Sequence, residues 1–454
     1  MDKLITAQIE NELDKMKIRN DKLRSGLKDK VVLTDYSSCD GVWTKAFQQA
    51  VNEHEIVIIP AKEEPYLLDG TVVIPSNRYV FAEDGAVIRL KEGTKTLMLR
   101  NEHPVDGTHY VVKETSRDEN ITIEGGLWEE WCLERMGYGQ TGMIDEDRSY
   151  YGVTTCFFFD NVNNFTLKNL TFRRCGGFAL QIGEAKDIVC ENIRFEECFA
   201  DGLHINGNVE NVYAKNVKGQ VGDDLVALNM FDWQRSSVNF GPCKNVLCED
   251  LELSKDSPYK AIRIQPGIYT FKDGTEIDCS LTNAVFRRVR GIKTFKMYCQ
   301  TPRFTKGSDP EKAGVGSGDN IIFEDVVIDL DEPIDLLGGY IENDPVTGSF
   351  AGFELGSNID NLYLKDIKMN VDKQKHPYAY LLCIGPKSVR RGDVEIFDPY
   401  FSSVVKNVYI QNVVINGKQV DDLAPFVREI EFNALYDDMP STAKGEIEKI
   451  IFNK

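Results

Sequence analysis

The chain repeats one short pattern of polar and apolar positions. An Asn or Asp precedes an alternating apolar run, then a second Asn or Asp and another apolar run. Clear copies are Asn164–Phe172, Asp187–Phe195, Asn211–Gly219, Asn245–Leu253, Asn320–Ile328, Asn361–Met369 and Asn407–Ile415, with Asn283–Gly291 a weaker eighth. The first three begin 23 and 24 residues apart. Later copies are spaced more widely, as if loops were inserted. Strict alternation is the signature of a strand. A period of this size predicts a solenoid of stacked coils, an all-β fold with one continuous core.

Aligned copies form columns. Asn169, Asn192 and Asn216 share one position, continued by Asp250, Asp325, Asp366 and Asn412. Asn and Asp tolerate the left-handed backbone of a tight turn and bond to neighbouring backbone, so this column predicts a polar ladder along the solenoid. Thr44–Glu53 has helical spacing, with Ala46, Phe47, Ala50 and Val51 on one face. A helix there, followed by short strands, would cover the open edge of the first coil. The expected organisation is a helix or arm over 1–30, an N-terminal cap with the first strands over 31–115, coils over 116–420 and a C-terminal cap over 421–454. Insertions at Trp128–Tyr151, Met230–Pro242, Arg303–Gly318, Asp331–Phe350 and Lys373–Ser403 are where binding loops are expected.

Composition narrows the function. Of 454 residues 42% are hydrophobic, enough for a large core. A formal charge of −19 excludes the clustered basic surface that nucleic acid requires. Residues 1–30 lack an apolar stretch followed by a small-residue cleavage site, and no run long enough to span a membrane occurs. The 11 Cys contain no CxxC pair, which points to reduced thiols and a cytoplasmic setting. Cys175 and Cys198, at equal places in successive repeats, are expected in an interior column rather than a disulfide.

A second strand follows each Asn-containing one: Phe178–Ile182, Asp201–Ile205, Asp224–Leu228, Lys260–Ile264 and, less regularly, Phe295–Cys299. Leu180, Leu203, Val226 and Ile262 should then point inward. Gln181, His204, Ala227, Arg263 and Tyr298 should form one outward column, its members about 4.8 Å apart. Asp201 and Asp224 open adjacent strands, and Asp223 precedes Asp224. Each Asp-Gly or Gly-Asp pair alone reads as a turn. Both at matched coil positions, beside His and Arg, read as a site. Carboxylates this close raise at least one pKa, and a protonated and an ionised carboxylate are what glycoside cleavage requires. Arg263 is placed to hold a sugar carboxylate or hydroxyls. Lys260, Gln181, Asn229, Gln265, His204 and Tyr298 complete the candidate binding residues. The three Asp could instead chelate Ca²⁺ in a lyase, with Arg263 or Lys260 as base. The remaining His, at 54, 103, 109 and 376, have no metal-ligand spacing, and no cofactor is expected.

Ala200-Asp201-Gly202, Gly222-Asp223-Asp224-Leu225-Val226-Ala227-Leu228 and Arg263-Ile264-Gln265 resemble, in order, three of the motifs of glycoside hydrolase family 28, which contains the polygalacturonases. That family belongs to the pectin-lyase-like superfamily of right-handed parallel β-helices. Gln265 stands where the family has Lys, and no Gly-His-Gly follows the Asp pair. Cys39-Asp40-Gly41 resembles the Gly-Asp-Gly turn that leads into such proteins. The resemblance implies inverting hydrolysis, with Asp201 as general acid and Asp223 and Asp224 activating water. Its motifs cover only Asp201–Gln265. The expected substrate is an oligo- or polysaccharide, with or without uronic acid. The non-enzymatic alternative is a carbohydrate-binding β-helix. Trp128, Trp131, Tyr138, Tyr150, Tyr151, Trp233 and Tyr269 could stack on sugar rings or pack the bases of loops.

Overall fold

The computed structural model describes residues 2–94, 96–104, 116–133, 155–231, 239–270, 273–298, 312–330, 350–377, 379–385, 389–391, 394–396, 402–429, 431–434 and 441–453. They form a right-handed parallel β-helix. Thr155–Arg173 pairs in parallel with Phe178–Glu196, and the ladder continues through Val209–Gly219, Cys243–Leu253, Leu281–Arg290, Ser317–Leu330, Asn358–Val371 and Ser403–Gln411. Ser441–Phe452 adds one more strand, in parallel with Ser403–Gln411. The coil stacking therefore continues beyond residue 421.

The long strands bend where the sequence places Asn or Asp. Asn169, Asn192 and Asn216 have φ of 59°, 56° and 52°, the left-handed region that these side chains tolerate. The amides of Asn192 and Asn216 each donate to the Asn of the preceding coil at 2.8 Å, and Asn169 donates to Glu124 at 3.1 Å. At Asp250 and Asp325 the ladder changes chemistry, because Arg288 and Arg290 supply the donors. A second ladder runs at the start of the repeat, from Asp187 through Asn211, Asn245, Asn283 and Asn320.

Inside, aromatic and aliphatic side chains stack coil on coil, as in Phe172 on Phe195 and Phe286 on Phe323. Cys175 and Cys198 are buried free thiols; burial pushes both well above the usual thiol range. Helix α2, Thr44–Glu53, buries Ala46, Phe47, Ala50 and Val51 against the first coils. Those four share one face at helical spacing, so the helix closes the core where a strand edge would otherwise stand open.

Helix α1, Asp2–Gly26, lies against the outside of the solenoid. Its Ile9, Leu13 and Met16 cover an outward apolar column made of Val189, Tyr213, Leu247, Val285, Ile322 and Tyr363. Arg19 pairs with Asp187, Asn20 donates to the carbonyl of Asp187, and Glu10 pairs with Arg287 at 2.7 Å. Among the described residues no helix is long and apolar enough to cross a membrane.

Candidate active site

The second strands of the coils form a shorter ladder on another wall. Leu203–Asn206 pairs with Val226–Asn229, which pairs with Ala261–Ile264, then Thr294–Tyr298, Phe350–Gly356 and Ala379–Ile384. Leu180, Leu203, Val226 and Ile262 are in the core. Gln181, His204, Ala227 and Arg263 occupy one register position. Its next member is Lys296, because Arg263 pairs with Lys296, and Glu354 follows. Tyr298 therefore stands two residues further along its strand than expected, opposite Gly356 rather than Arg263.

Two close approaches explain the glycines beside the acids. A Cβ on Gly202 would lie 2.6 Å from the Phe195 ring, and one on Gly222 would lie 2.3 Å from the carbonyl oxygen of Phe199. Only glycine lets these turns pack so closely on neighbouring ring and backbone atoms. The turns then bring Asp201, Asp223 and Asp224 together: one carboxylate oxygen from each lies within 4.8 Å of the other two. The trio is recessed rather than displayed on an open surface. The Asp223 side chain is 15% exposed, Asp201 3% and Asp224 0%.

Each acid has a distinct setting. Asp201 accepts from the backbone N–H of Asp224 on Oδ1 at 3.2 Å, and its Oδ2 lies 2.7 Å from His204 Nδ1. Both oxygens of Asp201 are thus engaged. Arg263 Nε lies 2.9 Å from Asp224 Oδ2, and the other end of the guanidinium is 3.5 Å from Asp223 Oδ1. Burial pushes the Asp224 carboxyl well up, Arg263 opposes the rise, and Asp223 and Asp201 add to it. Burial alone would lower Arg263, but Asp224 raises it well above its ordinary value. The recess thus sets one raised carboxyl, Asp224, beside two further acids and a guanidinium, the charge pattern that general acid and base work needs.

Lys296 and Tyr259 belong to the same site and were missed in the sequence. Lys296 Nζ donates to the Tyr259 hydroxyl at 2.7 Å, and both side chains are buried. Burial lowers Lys296, against the pull of Glu354. Burial raises Tyr259 and Tyr298, with Asp224 adding to both. Asn206 was also missed. It sits on the face of His204, opposite Asn229, and its amide donates to the carbonyl of Asn229. The alternating polar residues of His204-Ile205-Asn206 carried that signal.

Other candidates take different places. Lys260 occupies the coil position of Asp201 and Asp224, but its Nζ donates to the carbonyl of Lys255 at 2.8 Å. Gln181, Asn229 and Gln265 are buried in the floor; Gln181 donates to Asn206 Oδ1 at 2.8 Å. Trp128 and Tyr269 are core residues rather than sugar platforms. Trp131 lies against the guanidinium groups of Arg89 and Arg174. Tyr138, Tyr150, Tyr151, Trp233 and His109 lie outside the described residues, as do large parts of the five insertions.

No protein-family model matches the chain, and no curated protein matches it. Among solved structures it is similar to an exopolygalacturonase from Thermotoga maritima, at 10% identity over 96% of each chain, with a TM-score of 0.46. A family 28 exopolygalacturonase from Yersinia enterocolitica matches at 11% identity, over 93% of this chain and 78% of that one, with a TM-score of 0.48. The surface adhesin PfbA of Streptococcus pneumoniae matches at 12% identity, over 93% of this chain and 97% of that one, with a TM-score of 0.39.

Proposed function

We propose that the chain hydrolyses glycosidic bonds of an oligo- or polysaccharide at the Asp201–Asp223–Asp224 centre. The observation that carries this reading is the convergence of three carboxylates within 4.8 Å, one of them partly open to solvent and the other two buried. Three acids brought this close in a recess are costly without a use for them. Asp223 is the carboxyl that a glycosidic oxygen can reach, so it donates the proton as the bond breaks. Asp201 takes a proton from the attacking water, and Asp224 shares that water. Arg263 and Lys296 line the floor next to them and offer positive charge to the sugar.

The family resemblance implies a single displacement with inversion. A water activated by Asp201 and attacking directly inverts the anomeric carbon, whereas attack by a carboxylate would retain its configuration. The anomer released first, read by NMR, decides between the two. The same cluster has the spread of a calcium site, but Arg263 already places its positive charge 2.9 Å from Asp224. Calcium would have to displace that contact and gather several more oxygens.

The experiment is a panel of acidic and neutral polysaccharides and their oligomers, with new reducing ends as the readout. Cleavage by the wild type, lost in Asp201→Asn, Asp223→Asn and Asp224→Asn, is expected. Ultraviolet-absorbing unsaturated products would establish a lyase instead. Binding to a glycan without cleavage would leave the binding-module reading.

A further inference from the structure

The residues behind Asp201 form a chain with a fixed direction. Gln181 Nε2 donates to Asn206 Oδ1 at 2.8 Å. Asn206 Nδ2 lies 3.2 Å from the backbone carbonyl of Asn229 and 3.3 Å from His204 Nε2. His204 Nδ1 lies 2.7 Å from Asp201 Oδ2. A backbone carbonyl only accepts, so the atom of Asn206 facing Asn229 is its amide nitrogen. That nitrogen also faces His204 Nε2, which must then present its lone pair. The imidazole proton is left on Nδ1, pointing at Asp201. An imidazolium would set Nε2–H against the amide N–H, so the arrangement selects the neutral ring. Phe178 stacks on the imidazole at 3.9 Å and 14° and fixes its plane. All five side chains are buried.

We propose that Gln181 and Asn206 are positioning residues that lock His204 as the neutral Nδ1–H tautomer, and that His204 thereby holds Asp201 as an ionised, oriented base. The purpose of this relay rests on the hydrolase reading, but its existence does not. His204 thus acts behind the carboxylate and not on the substrate. Asn206, with Gln181 anchoring it, does for the imidazole what an outer hydrogen-bond partner does for a metal-ligating or catalytic His.

The test is nitrogen NMR of the full chain carrying ¹⁵N-labelled histidine, at neutral pH. The chain has 5 His, and His204→Gln identifies the signal by its loss. In the wild type, Nε2 of His204 is expected at the pyridine-type position and Nδ1 at the pyrrole-type position. Asn206→Leu should shift Nε2 toward the average of the two tautomers, and Gln181→Leu should shift it part of the way. Asn206→Asp, which keeps the shape but faces Nε2 with a carboxylate, should add a proton at Nε2 while Asp201 keeps the one on Nδ1, so both nitrogens take the positions of an imidazolium; it serves if the Leu variant does not fold. A wild-type His204 protonated on Nε2, or a signal unmoved in the Asn206 variants, overturns the proposal. If the tautomer is as expected and no glycan is cleaved, the hydrolase reading fails and the relay stands.

Discussion

Asp224 Oδ2 and Arg263 Nε face each other at 2.9 Å across one coil step, in a recess where the carboxylate has no exposed surface. Removing one partner strands the other charge without water, which costs about 3–5 kcal/mol for a buried pair. Arg263→Ala should therefore lower stability by about that much. Asp224→Asn added to Arg263→Ala should restore a large part of the loss. Denaturant unfolding of the two single variants and the double variant checks this. Strict additivity would show that the pair is not coupled.

Asp223 shares the centre but keeps a window to solvent. Asp223→Asn should cut turnover about 10²–10⁴-fold, the usual worth of a general acid, while the melting temperature stays near that of the wild type. Steady-state kinetics on whichever glycan the panel identifies, with calorimetry alongside, is the measurement. A variant of near-normal rate would move the proton donor elsewhere.

Glu130 is a buried acid outside the proposed mechanism. Its Oε2 accepts from the backbone N–H of Gly176 at 2.8 Å, and its Oε1 has no hydrogen-bond partner among the described residues. Burial pushes its carboxyl from 4.5 up to about 8. A group raised in the folded state favours folding below its unfolded value and loses that contribution as the pH climbs to the folded one. Stability should thus fall between pH 4.5 and about 8 by an amount bounded at roughly 5 kcal/mol. Glu130→Gln keeps an acceptor for Gly176 and abolishes the titration. It should be more stable than the wild type at pH 8 and close to it at pH 4.5, as followed by thermal melts across that range.

Helix α1 meets the coils through Ile9, Leu13 and Met16, with Glu10, Arg19 and Asn20 as its polar anchors. Met16 is fully buried against the outer apolar column, so Met16→Asp should detach the helix while the strands remain paired. Limited trypsin digestion should then cut at Lys15, Lys17 and Arg19 much faster than in the wild type, with unchanged β-sheet circular dichroism. Equal cutting rates would mean that the helix is already free in solution.

Repeated Asn and Asp made the coils readable, because each marks a bend the backbone needs. The Asp201-Gly202 and Gly222-Asp223 steps made the acid centre readable, because glycine there answers a close approach of neighbouring atoms. Lys296 was hidden for a physical reason. In Thr294–Tyr298 both Phe295 and Met297 face the core, and a shift of two residues leaves every side chain on the same face. Alternation therefore fixes the wall but not the step along it, and Tyr298 was placed beside Arg263 in error. The docking of helix α1 was hidden too. Its apolar side chains are sparse, and its partners are spread over six coils that meet only after stacking.

That helix has a bearing on how such a chain can lengthen. From Glu10 to Asn20 it rises about 15 Å, and the three strand steps from Leu281–Arg290 back to Phe178–Glu196 cover about 14 Å. Its two anchors, Arg287 and Asp187, are thus matched to a set number of turns. Duplicating a turn between them would pull one anchor out of reach. The helix works as a gauge rod that admits growth at the ends or in the loops, but not within the span it measures.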